Sequence, residues 1–422
     1  MGSIWPGFIS YALSSGPLKV CPGPIVRTHL APSSRLASRH PVRKVTSPIV
    51  AVLLGMSGIA GEGQAADVPT PPVELRYTVD LLSDASGGVH RGTGLLGRFD
   101  LALDQSDGVL GIEGAEAHFD LMLLHGSRFS NDYAGDAQTL SNIDAPRAIR
   151  PFEAWLQIPF ADHFRAKAGL IDLNSEFDVQ SVGAMFLNSS FGIAPDFSQS
   201  GLNGPSIFPV TSPGLIVAAE SAGHSTIAIG IFDALPGYPD YPHRFLPGPI
   251  GRDGALLVAE AGIPVLGTGK LQIGGWRYTD RFDRIDGSGR GSSGGGYALL
   301  QGTLAGDDKG TALRSWVRVG IATGGVEPIG VYVGGGLTYG NDDRMIGLAV
   351  AHARLGAAAL DSGYGDRRAE TAIEWTAYRK INRFFAIQPD VQYIVHPSWK
   401  SATPDALVVG LRLHLDWAPK AN

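Results

Sequence analysis

The chain of 422 residues has little cysteine, little charge and, after residue 66, no long apolar run. Its one cysteine, Cys21, excludes a disulfide framework and a CxxC metal site. Charged residues make up 18% of the chain, against about 25% in ordinary domains. The hydrophobic share of 44% nevertheless excludes a disordered chain. Because a bilayer-spanning helix needs about 20 apolar residues, no transmembrane helix is predicted. Glycine is abundant instead, with 57 residues, roughly twice the usual share.

The first 66 residues have the pattern of an export leader. A basic cluster that ends at Arg43 and Lys44 precedes the apolar run IVAVLLGMSGIAG at residues 49–61 and the small residues Ala65 and Ala66. A basic segment, a short apolar segment and a small-residue cleavage site are typical of a secretory signal. We therefore expect a leader over residues 1–66 and one functional domain over residues 67–422, and the alternative for the apolar run is a buried core helix.

Removal of this leader makes the chain more acidic. The leader holds six of the 34 basic residues and one of the 40 acidic residues, which leaves 28 basic, 39 acidic and a net charge of −11. Because nucleic-acid-binding domains are expected to be basic, a nucleic-acid partner is not predicted.

The rest of the chain repeats an alternation of apolar and polar residues with period two. In residues 313–321, for example, Arg314, Trp316 and Arg318 alternate with leucine, valine and isoleucine. Such alternation is typical of strands with one apolar and one polar face. About sixteen such segments can be counted, and they begin near Val73, Gly94, Glu113, Phe152, Phe164, Gly214, Ser225, Ala255, Lys270, Gly296, Ala312, Ile329, Arg344, Glu370, Phe384 and Ala406.

Short and long gaps alternate between these segments. Short gaps hold turn residues such as Asp-Gly and Gly-Asn, and the main long gaps are residues 125–149, 173–213, 234–254 and 280–295. Tight turns on one side and long loops on the other are typical of outer-membrane barrels with an even strand number. The predicted fold class is therefore all-β: a transmembrane antiparallel β-barrel of about sixteen strands, with outer-membrane lipid around it. A soluble β-protein with one wet face remains the alternative.

In such a barrel the polar faces line the lumen, which at sixteen strands is wide enough for an aqueous channel. A wall that mixes both charge signs with tryptophan suits sugars, because hydroxyl groups need donors and acceptors and sugar faces need a flat apolar platform. An ion filter would favour rings of one charge sign. By alternation the candidate channel-lining residues are Arg98, Glu116, Glu153, Trp155, Arg165, Lys167, Arg314, Trp316, Arg318 and Arg412.

The longest gap, residues 173–213, is rich in Asn, Ser, Gly and Phe. Loops of this length are usually functional. Two placements are open: the loop folds into the barrel and narrows it, or it lies over the mouth of the barrel.

Several segments resemble the carbohydrate-selective porins, the OprB family, over nearly all of the chain after the leader. They are FEAWLQ at residues 152–157, AGLID at 168–172, FLNSSFG at 186–192, GPSIFP at 204–209, IQPDVQYI at 387–394 and DALVVGLR at 405–412. The resemblance implies a sixteen-stranded outer-membrane barrel for the passive diffusion of glucose-type sugars through a charged and aromatic constriction. By motif match, the family's constriction residues correspond best to Glu153, Trp155 and Asp172 of this chain.

Other functions remain possible. A general, non-selective porin would share every feature of the pattern, and whether the barrel is a monomer or a homo-oligomer stays open. No enzymatic activity, cofactor or metal is predicted. Gly-x-Gly-x-x-Gly at residues 92–97 has a strand after it instead of the helix that a dinucleotide site needs, and Gly-x-Ser-x-Gly at residues 291–295 is expected in an outer loop. A hydrolase with a site assembled from distant strands is the less favoured alternative.

Overall fold

The computed structural model describes residues 73–106, 108–245, 251, 253–265, 267–307 and 310–417. The predicted leader, residues 1–66, lies outside the described residues. No helix in the described part of the chain is long and apolar enough to cross a membrane.

The described residues form a closed barrel of sixteen antiparallel strands. Each strand pairs with its neighbours in the chain, and the last strand pairs with the first, so the predicted fold class is confirmed. The strands are β1 Val73–Ser86, β2 Gly92–Gln105, β3 Glu116–Gly126, β4 Ala148–Ala161, β5 Phe164–Ile171, β6 Ser212–Glu220, β7 Thr226–Asp233, β8 Ala255–Pro264, β9 Lys270–Asp283, β10 Arg290–Gly306, β11 Ala312–Ala322, β12 Ile329–Asn341, β13 Arg344–Leu355, β14 Ala369–Asn382, β15 Phe385–Val395 and β16 Ala406–Trp417.

Most predicted strand starts agree with the structure to within two residues, and the exceptions are informative. Strand β10 begins at Arg290, so the segment at residues 291–295 lies in a strand and its expected place in an outer loop is wrong. This glycine- and serine-rich stretch carries no apolar alternation, yet it pairs with the end of β9, where Ser292 lies opposite Arg281. Strand β4 begins at Ala148, four residues before the predicted start, and β3 begins three residues after it.

The connections at the two ends of the barrel differ in length. One end carries short turns, such as residues 162–163, 342–343 and 383–384. The other end carries residues 127–147, 172–211 and 234–254, as the gap lengths predict. The gap predicted at residues 280–295 is instead the six residues 284–289, because β9 and β10 extend into it.

Short helical segments occur only in the connections among the described residues. The α-helices are α1 Pro195–Ser198 and α2 Ala357–Asp361, the 3-10 turns are Val109–Gly111, Leu173–Ser175, Gly183–Met185, Ser189–Phe191 and Pro397–Trp399, and Ser130–Ala134 forms a π-helical turn.

The outer face of the barrel is an apolar belt. Outward residues of the strand centres are mostly aliphatic and well exposed, as at Ile229 (59%), Ile273 (58%) and Leu348 (53%). A soluble sandwich would bury such a face against a second sheet, whereas this belt has no covering layer among the described residues. Exposed apolar rows around a closed barrel are what lipid contact requires.

A second apolar region lies inside the barrel, where loops pack on the inner wall. Phe186 and Phe191, from residues 172–211, join one buried cluster with Trp316 of β11. Small wall residues make the space: a Cβ on Gly347 would lie 2.6 Å from the Phe186 ring, and one on Gly336 would lie 2.8 Å from Trp316. Part of the glycine content therefore serves this inner packing.

Candidate functional site

The connection formed by residues 172–211, called here the inserted loop, folds into the barrel and crosses its inner wall. The backbone N–H groups of Leu187 and Asn188 donate to the Glu374 carboxylate of β14, at 2.6 and 2.9 Å. On its return path, Ser190 accepts a hydrogen bond from the Tyr332 hydroxyl of β12, at 2.9 Å. Of the two placements left open by the sequence, the structure has the loop inside the barrel.

Arg318 of β11 joins both limbs of the inserted loop to the wall. Its Nε and Nη2 donate to the two carboxylate oxygens of Asp178, at 3.2 and 2.9 Å, and its Nη1 donates to Asp196. All three side chains are fully buried. One guanidinium therefore holds two segments of the inserted loop, the outgoing segment that contains Asp178 and the returning segment that contains Asp196.

Gly320 provides the space for this arrangement. A Cβ at this position would lie 2.1 Å from Arg318 Nη1 and 2.2 Å from an Asp196 carboxylate oxygen. Any side chain there would displace the ion pair, so glycine is required by close approach.

Trp316 also faces into the barrel but lies beneath the inserted loop. It is 1% exposed, its ring packs against Phe186 and Phe191 at 5.2 and 5.8 Å between centres, and its Nε1 donates to Gln180 at 3.0 Å. Loop residues therefore separate the ring from the open lumen.

Arg412 of β16 is covered by a second loop, residues 127–147. Its guanidinium donates to both carboxylate oxygens of Asp80 of β1, at 2.6 and 2.7 Å, and to Asn142 of this loop at 2.8 Å. Trp316, Arg318 and Arg412 thus face inward, as the alternation predicts, but the structure corrects their placement in the open channel wall: they hold loops. Alternation reports the face of a strand and carries no information on what covers that face.

The inner wall that stays partly open is formed by β2 to β5. Arg98, His118, Glu153, Trp155 and Arg165 point into the lumen from these strands, and each is half-buried. The structure therefore brings together the predicted residues from the first third of the barrel.

Trp155 has a neighbour on either side of its strand. The His118 ring from β3 stacks on it, with 5.2 Å between ring centres and 23° between planes. From β5, Lys167 Nζ lies 4.0 Å from the indole centre, within cation–π range. The Trp155 Nε1 donates to Glu153 at 3.1 Å. The indole is thereby held in one orientation, with part of its surface still exposed.

Lys167 and Arg165 bind the inserted loop through one carboxylate. Arg165 Nη2 donates to Glu176 at 2.6 Å, and Lys167 donates to the other oxygen of Glu176. Burial alone would raise the pKa of Glu176, but the hydrogen bond from Arg165 and the charge of Lys167 lower the pKa below its ordinary value. Lys167 is only 7% exposed, so Arg165 is the more accessible cation of the two.

Glu116 lies at the short-turn end of this wall. It accepts a hydrogen bond from Gln157 at 2.9 Å, and Gln157 in turn accepts one from Arg165 at 2.8 Å. Arg314 also lies toward the short turns, on β11, where it is half-buried and donates to the Gly340 carbonyl at 3.3 Å.

Asp172 begins the inserted loop. Its side chain caps the first turn by accepting the Asn174 N–H at 2.9 Å, and its own N–H donates to Glu153 at 3.1 Å. Burial, followed by the nearby charge of Glu153, raises the pKa of Asp172 to about 7. The residue therefore positions the loop entrance beside the open wall.

Arg98 is fixed by acidic and aromatic neighbours. Its Nε donates to both carboxylate oxygens of Asp100, at 2.9 and 3.0 Å. Its guanidinium carbon lies 4.9 Å from the Phe152 ring centre and 5.2 Å from that of Phe208, near the end of the inserted loop. These contacts leave a rigid cation at the open wall.

The surface of the inserted loop that stays exposed is small and neutral. Ser175, Ser181 and Ala184 are its exposed residues in the stretch that follows the Asp172 turn. The lumen is thus bordered by a wall of fixed charges of both signs and by a loop edge with hydroxyl groups. Hydroxyl-bearing solutes find donors and acceptors on such a path.

Sequence reasoning missed several members of this wall: Asp100, His118, Asp120, Gln157 and Glu176. The first four lie in phase with predicted inward residues of the same strands, so the alternation alone could have found them. Glu176 lies in the inserted loop, where no strand period applies.

Among the described residues, no group of three or more histidine, cysteine, aspartate and glutamate side chains is arranged to hold a metal ion.

Comparison with known proteins agrees with this geometry. The model of the carbohydrate-selective porin OprB family matches residues 95–417. No curated protein matches the sequence. The high-pH structure of Pseudomonas putida OprB is similar with a TM-score of 0.73 at 17% identity, covering 82% of this chain and 94% of that one. The low-pH structure of the same protein gives a TM-score of 0.52 at 16% identity, covering 82% and 92%. These likenesses show a shared barrel fold.

Proposed function

The chain belongs to the OprB family of carbohydrate-selective porins, and on that premise we propose that it is an outer-membrane channel for the passive diffusion of small, glucose-type sugars. The family is one of channels, and we propose no enzymatic activity. The apolar belt supports a location in the membrane, because exposing its rows of isoleucine and leucine to water would be unfavourable.

The observation that carries the proposal is the composition of the open wall. Accessible cations are paired with carboxylates there, as Arg98 is with Asp100 and Arg165 with Glu176 of the inserted loop. A uniform ring of one sign would select ions, whereas paired charges leave little net field and many hydrogen-bonding atoms. Neutral polyhydroxylated solutes match such a wall.

The orientation of Trp155 supports a narrow passage at this wall. Its indole is fixed by Glu153, His118 and Lys167, and a preorganised side chain binds without a further ordering cost. We propose that the exposed part of this ring contacts the sugar ring during passage.

A general, non-selective porin is the second candidate, and one observation favours it. Because His118 and Lys167 already lie against the Trp155 ring, the flat platform offered to a sugar is smaller than that of a free indole.

Liposome swelling separates the two candidates. We expect glucose to enter proteoliposomes faster than an uncharged non-sugar of equal size, and we expect Trp155→Ala to reduce this ratio because the ring contact is lost. The matched control is Trp375→Ala, which removes an indole from the outer face (45% exposed) and should leave the ratio unchanged. Equal rates for both solutes in the unaltered protein would contradict sugar selectivity and leave a general porin.

A further inference from the structure

Two arginines lie directly opposite each other on the outer face of the barrel. Arg344 of β13 pairs in register with Arg379 of β14, and both side chains are exposed. Among the strand pairs of the described residues, this is the one register position at which two cationic residues face each other. Directly opposed residues on antiparallel strands have Cβ atoms about 4.5–5.5 Å apart, so the two charges are forced into proximity.

The strand period places both arginines on the lipid-facing side. Arg344 is in phase with Ile346 and Leu348, which are 51% and 53% exposed. Arg379 is in phase with Trp375 and with Ile381, which are 45% and 51% exposed. Both positions lie near the short turns at residues 342–343 and 383–384. The pair therefore interrupts the apolar belt at its short-turn edge.

No carboxylate of the described residues forms an ion pair with either guanidinium. The nearest acidic turn residue in the chain, Asp343, pairs with Lys380 at 4.0 Å. A third cation, Arg383, lies in the next turn with its guanidinium 4.3 Å from the Phe384 ring centre. The turn carboxylate Asp343 is thus paired with Lys380, and the two opposed arginines are left without an ion-pair partner among the described residues.

Such an arrangement favours a bound anion. Like charges directly opposite on a sheet destabilise it, and arginine on the lipid face of a barrel is unfavourable in a depth-dependent way. Two adjacent guanidinium groups match the oxygens of one phosphate with several charge-assisted hydrogen bonds. A phosphate between them would turn the repulsion into attraction.

We propose that Arg344 and Arg379 bind the phosphodiester headgroup of an anionic phospholipid at the short-turn edge of the barrel. A lipid fits better than free phosphate, because its acyl chains lie along the exposed side chains of Ile346, Leu348 and Trp375, in phase with the two arginines. Tyr339 of β12, which lies opposite Ile346 and is 55% exposed, supplies the aromatic residue typical of a membrane interface.

Native mass spectrometry of the folded barrel in detergent tests the proposal. Short-chain phosphatidylglycerol is added to the unaltered protein and to the double variant Arg344→Gln and Arg379→Gln. We expect one tightly held phosphatidylglycerol in the unaltered protein and about tenfold weaker retention in the variant, the effect of losing one or two charge-assisted contacts.

The matched control removes two outward arginines away from the short-turn edge, as Arg277→Gln and Arg354→Gln, and should retain the lipid. Both residues are exposed; Arg277 lies at the middle of β9 and Arg354 next to the long-loop end of β13. Equal retention in the unaltered protein and the Arg344/Arg379 variant would overturn the proposal, as would an equal loss in the control.

Two further arms identify the source of the phosphate. Phosphatidylcholine, whose headgroup is zwitterionic, should be held more weakly than phosphatidylglycerol, and millimolar inorganic phosphate should not displace the bound lipid. Displacement by inorganic phosphate would show a simple anion site and overturn the assignment to a lipid. Loss of the adduct only upon formation of a dimer would show that a second copy of the chain occupies this surface, and would overturn it as well.

Discussion

Arg318 shows how much of the internal architecture depends on one buried side chain. It is the cation shared by Asp178 and Asp196, which belong to opposite limbs of the inserted loop. Removal of one partner from a buried ion pair leaves an uncompensated charge and typically costs about 3–5 kcal/mol. The residue therefore positions the inserted loop inside the barrel, without belonging to the open wall.

The substitution Arg318→Met should release this loop while leaving the strands paired. We expect a lower free energy of unfolding by about 3–5 kcal/mol and a larger, noisier single-channel current in planar bilayers. Adding Asp178→Asn and Asp196→Asn should restore part of the stability, because the unpaired charges disappear. An unchanged current in Arg318→Met would show that the loop is held without this ion pair.

At the scale of elements, the loops at the long-loop end hold each other. Glu327, in the connection between β11 and β12, is 3% exposed. It accepts hydrogen bonds from Ser293 of β10 and, at 3.5 Å, from the Gly201 N–H of the inserted loop. No cation forms an ion pair with it among the described residues, so its burial favours the protonated form.

Burial raises the pKa of Glu327 to about 7, from an ordinary value of 4.5. The native state thus holds a proton that the unfolded chain loses, and stability falls as the pH rises from about 4.5 through 7. The resulting loss of folding free energy is at most about 3 kcal/mol. Hydrogen exchange of residues 199–203 and 323–328, corrected for the intrinsic rate, should show greater protection at pH 5 than at pH 8.

Glu327→Gln provides the control for this pH dependence. The amide keeps the hydrogen-bonding shape but does not titrate, so the protection should become independent of pH over this range. A variant that keeps the full pH dependence would assign the effect to another group.

At the scale of the whole molecule, the apolar residues serve two environments. The outer belt faces away from the lumen, and the inner clusters fill the space between the loops and the wall. An apolar content of 44% therefore combines an apolar outer surface with a packed core inside the barrel.

Substituting arginine for Ile229 tests whether the outer face of the barrel lies in lipid. Ile229 lies at the centre of β7, 59% exposed on the outer face, and Ile227 lies on the same face closer to the short turn. We expect Ile229→Arg to lower the free energy of unfolding in lipid vesicles by about 2–4 kcal/mol and Ile227→Arg by about 0–1 kcal/mol. Denaturant titration followed by tryptophan fluorescence measures both. A belt in water would tolerate both changes equally.

The barrel could be predicted from local residues alone, because a strand with an apolar outer face and a polar inner face imposes a period of two that these residues must carry. The sequence therefore predicted the closed fold, most strand starts and the inward direction of Arg98, Trp155, Arg318 and Arg412. It could not separate the open wall from the covered wall. That difference depends on the path of the inserted loop, which follows no period and is set by contacts between residues more than a hundred positions apart, such as Asp178 with Arg318. The long-range contacts of the folded chain place Arg98 and Trp155 at the border of the lumen, while Arg318 and Arg412 anchor loops.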